Sequence, residues 1–300
     1  MPSRKYIYSS LTAAIDDKQS PLRRYLDSEY PNRRPLQAAY RAAAPPILVQ
    51  GGDAHPGTLG AAFDFAVRFV LDPEYVPAVA IHAFRPSRRR VKAITHVIAV
   101  ARSAANCRTS LAPELLLRAS WALALTTEVF RAGTWQHSPL RQLGWFHFTA
   151  ERLLRLAQPD ALVQLQQLHS VATTSLFPKL PLEPRRQTLG PSFAASRLCS
   201  ADADIIIDGQ LIELKTRLGS LSQRTGNRSD SIPGTDINQL LAYTLFDQGN
   251  KYKIDRVSLY SARYGNFTTW PLNDYLTLLS GRRVDIKAER AIVWRLLGGS

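Results

Sequence analysis

The chain has 300 residues, 45% of them hydrophobic and 21% charged, a balance that excludes a disordered or low-complexity polymer and leaves room for one large domain or two ordinary ones. Against 24 Asp and Glu stand 38 Lys and Arg, for a formal charge of +14, which favours a polyanionic partner such as nucleic acid. Two distant cysteines, Cys107 and Cys199, offer neither a disulfide framework nor zinc spacing and suggest a reducing compartment.

Residues 1–56 are basic and punctuated by Pro21, Pro31, Pro35, Pro45 and Pro46, and they read as an N-terminal arm with a short helix. "MPSRKYIYSS" has charge but no apolar stretch after it, so no signal peptide is expected. The apolar run "AITHVIAVA" is too short to span a bilayer, and a cytoplasmic protein with no membrane partner is expected.

A mostly helical region follows over 57–183. "GTLGAAFDFAVRFVL" (57–71) places Leu59, Phe63, Ala66, Val67 and Val70 at helical spacing, and Pro73 and Pro77 end it. From about 91 to 175 the pattern stays helical. "PELLLRASWALALTTEVFR" opens with Pro113 and an acid, and "LGWFHFTAERLLRLAQ" and "DALVQLQQLHSVATTSLF" come after it.

"FPKLPLEPRR" is a proline-rich connector, and Pro184 is the expected boundary. Beyond it, over 184–300, the spacing predicts strands near 192–197, 202–207 and 210–216. A helix at 236–247, strands at 254–262 and 266–271 and a C-terminal helical tail complete the chain.

Within this half, "DADIIIDGQLIELKT" (202–216) carries charges where buried strands would be apolar. Asp208-Gly209 is a two-residue hairpin signal, because the favoured turn needs positive φ at both central positions. Folding about it sets Ile207 opposite Gln210, Ile206 opposite Leu211 and Ile205 opposite Ile212. Asp204 then meets Glu213, and Asp202 meets Lys215. Ala203, Ile205, Ile207, Ile212 and Leu214 share one face. Asp202, Asp204, Glu213 and Lys215 share the other with Ile206 and Leu211. A solvated outer face is the bland explanation, but carboxylates directly across a ladder repel. A divalent cation such as Mg²⁺, with Mn²⁺ able to replace it, turns that repulsion into a binding site. Lysine on the same face can orient an attacking water or offset charge on a phosphate.

Asp204-x₈-Glu213-x-Lys215, set in "IIID" and "LIEL", resembles the PD-(D/E)XK phosphodiesterase superfamily. Ala203 stands where the proline of the family name would be. The resemblance implies an α/β restriction-endonuclease-like αβββαβ core, here with a large mostly helical N-terminal region or insertion. It also implies that Asp204 and Glu213 bind the metal and that Lys215 acts at the attacking water. "DINQLLAYTLFDQ" places Gln239 and Tyr243 one turn apart, which resembles the QxxxY element of the RecB-like branch; the local alternative is a capping box from Asp236 to Gln239. Gly60-Ala-Ala-Phe-Asp64 resembles that branch's GxxxH motif with aspartate in place of histidine. This would make Asp64 a third metal ligand, with Glu151 as its rival.

The polar loop "TRLGSLSQRTGNRSDSIPGT" predicts mobility and offers Arg217, Arg224 and Arg228 to phosphates; Arg263 in "SLYSARYGNFTTW" could face a backbone too. Arg88-Arg89-Arg90 reads as a solvated basic turn, and His55, His96, His137 and His147 lack zinc spacing. Both Arg141/His147 and Arg90/His96 match the Rx₅H pattern of HEPN ribonucleases.

The expectation is a Mg²⁺-dependent nuclease acting on DNA rather than RNA, suited to phage defence or DNA processing, with a protein partner or a second copy using the helical region. The alternatives are an inactive nuclease-fold protein that binds nucleic acid or serves assembly, and a metal-independent HEPN-like ribonuclease.

Overall fold

The structure is a computed structural model that describes residues 6–107, 109–136, 138–144, 147–181 and 183–299. Its fold class is α/β. The chain divides into two compact units: Met1–Ile47, Lys179–Leu214 and Gly219–Ser300 form one, Leu48–Pro178 with Lys215–Leu218 the other. The division thus falls at Lys179, ahead of the expected boundary at Pro184.

Residues expected to form an arm hold α1 (Leu11–Asp16), α2 (Pro21–Glu29) and α3 (Arg33–Ala43) instead. The prolines that suggested extension act as helix starters. Pro21 opens α2 and Pro35 lies in the first turn of α3, where a missing N–H costs nothing. Ser10 and Ser20 cap α1 and α2 with their hydroxyls. Leu11, Ile15, Leu22, Leu26, Leu36 and Tyr40 enter the core of the sheet-containing unit.

The helical unit contains α4 (Pro56–Leu71), α5 (Ala78–His82), α6 (Arg88–Asn106), α7 (Ala112–Ala132), α8 (Ala150–Leu154) and α9 (Pro159–Ser175). α4 packs on α7 and α9, and α6 on α7. Leu59, Ala62, Phe63, Phe65, Ala66, Val67 and Phe69 are all buried, so α4 is apolar nearly all round, as an interior helix is.

On α9, burial lowers the pKa of His169, whose ring meets Phe177 edge-on at 6.2 Å. A histidine held neutral adds stability above its unfolded pKa of about 6.5, and that stability is lost as the pH falls below it. We expect the urea midpoint to drop between pH 8 and pH 5, and His169→Phe to flatten part of that drop. Identical slopes in parent and variant would assign the pH dependence elsewhere.

The rest of the chain builds the sheet. β1 (Gln187–Leu189), β2 (Ile205–Ile207) and β3 (Gln210–Lys215) form an antiparallel meander. β4 (Ser220–Leu221) and β5 (Arg228–Ser229) make a separate two-stranded ribbon. Next come α10 (Gly234–Phe246), the hairpin of β6 (Arg256–Ser261) and β7 (Asn266–Pro271), α11 (Leu272–Ser280) and α12 (Ile286–Leu296). Sheet order is β1-β2-β3-β6-β7, mixed, with α10 on the crossover from β3 to β6. α10 packs on α1 and α12.

The strand expected at 192–197 is a 3₁₀ turn, Ala194–Arg197. The Ser196 hydroxyl accepts the Phe193 N–H at 2.9 Å and donates to the Ala201 carbonyl at 2.6 Å, which ties the segment into a turn. No described helix is long and apolar enough to cross a membrane.

Candidate functional site

The turn between β2 and β3 sets the register. Asp208 has φ 45° and Gly209 φ 81°, the left-handed pair the hairpin loop requires. A Cβ on Gly209 would meet the Lys253 carbonyl oxygen at 2.9 Å, so glycine is required for space as well. The Asp208 carboxylate accepts the N–H groups of Arg185 and Arg186 at 3.2 and 2.9 Å. The ladder follows as the turn dictates, with Ile205, Ile206 and Ile207 opposite Ile212, Leu211 and Gln210.

One residue further the ladder stops. Asp204 Oδ2 accepts the Leu214 N–H at 2.7 Å, so a side-chain carboxylate takes a position the partner backbone would fill. The Asp204 carbonyl meanwhile accepts the Gly190 N–H at 2.8 Å. Asp204 and Glu213 are therefore not a ladder pair, although the carboxylate of Asp204 reaches β3 at the residue next to Glu213. Asp202 bridges Ser192, on the β1 side of the hairpin.

Neither face of the hairpin is a solvated surface. Ile205, Ile207 and Ile212 are buried on one side; Ile206 and Leu211, which share the charged face, belong to the core that includes Leu240 and Tyr243 of α10. Glu213 is only 4% exposed, an uncommon placement for a carboxylate. Asp204 and Lys215, at the end of β3, are half-buried.

α10 supports this acidic pair. Gln239 Nε2 donates to Tyr243 Oη at 2.7 Å, and Tyr243 donates to the Asp202 carbonyl at 2.8 Å. The Tyr243 ring stacks on Phe193, centroids 5.5 Å apart. Burial, and then the carboxylates of Glu213 and Asp204, push the Tyr243 hydroxyl well above the usual phenol value, so it stays a donor. The capping box is not formed: Pro233 is the N-cap of α10 and no side chain caps it. Tyr243→Phe should cost about 1–2 kcal/mol in denaturant unfolding by leaving the Asp202 carbonyl without its donor. An unchanged midpoint would mean that the hydroxyl anchors nothing.

The other expected residues divide. Asp64, on α4, forms a two-pronged pair with Arg68, whose Nε and Nη2 lie 2.8 and 2.6 Å from its oxygens. Arg68 also donates to Tyr75 Oη at 3.0 Å. A Cβ on Gly60 would come within 3.2 Å of Thr216 Oγ1, so the glycine of the Gly60–Asp64 stretch lies against the residue that follows Lys215. Glu151 pairs with Arg155 on the surface.

Arg217 and Arg224 are exposed and Arg228 is partly so. Arg263 is only 4% exposed, which removes it from the side chains open to a phosphate. β6 ends at Ser261, and Arg263 lies in the turn before β7, where the Tyr264 N–H donates to the Ser261 carbonyl at 3.1 Å. Arg90 lies over the Trp135 ring at 4.2 Å, a stacking contact, while Arg141, His147 and His96 are exposed. His137, Trp145 and Phe146 lie outside the described residues.

One buried group has no sequence signature. Asp230, 3% exposed, accepts hydrogen bonds from the Tyr40 hydroxyl at 2.6 Å, the Ser261 hydroxyl at 2.9 Å and Asn266 Nδ2 at 3.1 Å. Those partners lie 190, 31 and 36 residues away, beyond the reach of any local pattern.

Among the described residues no three His, Cys, Asp or Glu side chains gather into a group. Asp204 and Glu213 contribute carboxylate oxygens, a hard donor set. Such a set fits Mg²⁺, which takes one or two protein carboxylates and fills its other positions with water and substrate phosphate. No protein-family model, no curated protein and no solved structure matches the chain.

Proposed function

We propose that the protein is a metal-dependent nuclease that hydrolyses phosphodiester bonds in DNA, built on a restriction-endonuclease-like αβββαβ core. The observation that carries this reading is the departure of Asp204 from the ladder to place its carboxylate on the amide beside a buried Glu213. The bond to Leu214 accounts for Asp204 alone, whereas a site for a hard cation would account for the buried Glu213 beside it as well. The order β1–β2–β3–α10–β6, with Gln239 and Tyr243 on that helix, supports it.

Asp204 and Glu213 would hold Mg²⁺ or Mn²⁺. Bound there, the ion supplies charge to offset that of the scissile phosphate and to acidify water. Hydrolysis adds water across one P–O bond. Lys215, by strand alternation on the Glu213 face, orients that water or donates to a phosphate oxygen. Tyr243 and Gln239 position the segment that carries Asp204 through the Asp202 carbonyl.

The occupation of Asp64 by Arg68 favours one second reading, an inactive nuclease fold that binds nucleic acid or serves assembly. Incubation with linear, circular and single-stranded DNA and with RNA, in Mg²⁺, Mn²⁺ or EDTA, separates the two. Cleavage of DNA that EDTA abolishes supports the nuclease; binding without cleavage supports the second reading, and metal-independent cleavage of RNA defeats both.

A further inference from the structure

The Gly/Ser-rich stretch after β3, expected to be mobile, is built as a ribbon. Ser220 and Leu221 pair with Ser229 and Arg228. The turn is closed by the Ser222 N–H on the Asn227 carbonyl and the Gly226 N–H on the Ser222 carbonyl, each at 2.9 Å. The base is fixed as well. Gly219 has φ 70°, and a Cβ there would strike the Ser229 carbonyl oxygen at 2.2 Å and Tyr264 Oη at 2.6 Å. The Ser220 and Ser231 hydroxyls meet at 3.0 Å, and the buried Asp230 bonds to Ser261 and Asn266 of the β6–β7 hairpin.

Outward, the ribbon is open. Leu221, at 45% exposure, Gln223, Arg224, Thr225 and Asn227 all face solvent. Its charge has one sign: from Lys215 to Ser229 the sequence carries Lys215, Arg217, Arg224 and Arg228 with no Asp or Glu.

We propose that this ribbon binds duplex DNA by entering the major groove, with Arg224 and Arg228 on backbone phosphates and Leu221 against the apolar edges of sugars or bases. A two-stranded ribbon is one of the elements the B-form major groove admits, at about 12 Å wide and about 8.5 Å deep. A hairpin of this length projects on the order of 10 Å. The major groove of duplex RNA is too narrow to receive it, and a single strand offers no groove. The inference rests on the nucleic-acid reading above and names the form of nucleic acid the site receives.

The test is fluorescence anisotropy with a labelled DNA duplex, its single strand and an RNA duplex of the same sequence, all in EDTA. Arg224→Gln/Arg228→Gln should weaken duplex DNA binding about tenfold and reduce the slope of log K against log salt by about 2, since each phosphate contact contributes about 0.9. Single-strand and duplex RNA affinities should change less than about twofold, because neither form engages the ribbon. Unchanged duplex binding, an equal loss on all three, or a parent protein that binds no nucleic acid would overturn the proposal. Because binding is read without metal, failure of cleavage leaves this result standing. An active nuclease indifferent to these arginines overturns the ribbon alone.

Discussion

Glu213→Gln is expected to lower metal-stimulated cleavage by about 10³-fold, which corresponds to about 4 kcal/mol of transition-state stabilisation. Glutamine keeps the shape and the hydrogen-bonding reach of the side chain but not the charge that a hard cation requires. Glutamine fills the same buried space, so the near-UV circular dichroism spectrum should match the parent's, and loss of rate with the fold retained separates a chemical role from a structural one. Lys215→Met should match the loss of rate. Single-turnover cleavage with saturating Mg²⁺ is the measurement, and a Glu213→Gln enzyme within tenfold of the parent would remove this carboxylate from the mechanism.

Asp230→Ala should destabilise the fold by about 3–5 kcal/mol. The carboxylate accepts from Tyr40, Ser261 and Asn266 at once, which joins α3 to the β6–β7 hairpin and fixes the return strand of the ribbon. Its removal strands three donors in the core. Burial, the largest cause of the raised pKa of the Tyr40 hydroxyl, persists in the variant, so that group stays a donor without an acceptor. Asp230→Asn keeps one acceptor oxygen and should cost less than alanine. Equilibrium urea unfolding decides the point: a loss below about 1 kcal/mol for alanine would show that the network is replaced by water.

The parts of the fold legible in the sequence are those that local chemistry determines. Asp208-Gly209 allows one turn, and that turn alone sets the pairing from Ile205 to Gln210. The departure of Asp204 from the ladder was not legible, because a side chain competing with backbone for one amide leaves no periodic trace. The three consecutive isoleucines did carry a signal of burial on both faces, since a central strand reads as a continuous apolar run. In the first 47 residues, prolines that open helices resemble prolines that forbid them, and only the buried leucines between them mark the difference. Tyr243 and Gln239 were visible by spacing, but their bond to the Asp202 carbonyl depends on a turn 41 residues away.

The division of the chain also bears on the order in which the protein can mature. The helical unit is a nearly unbroken run, Leu48–Pro178, whereas the sheet unit places Leu11 and Leu22 in one core with Val293, Trp294 and Leu297. On a ribosome adding about 5–20 residues per second, α1 and α2 emerge roughly tens of seconds before the strands and helices that cover them. Their apolar faces are open to chaperones throughout that interval, while the helical unit can already close. The core that backs Ile206 and Leu211 of the hairpin is complete only when Val293, Trp294 and Leu297 arrive, so a nascent chain carries Asp204 and Glu213 before that core is closed.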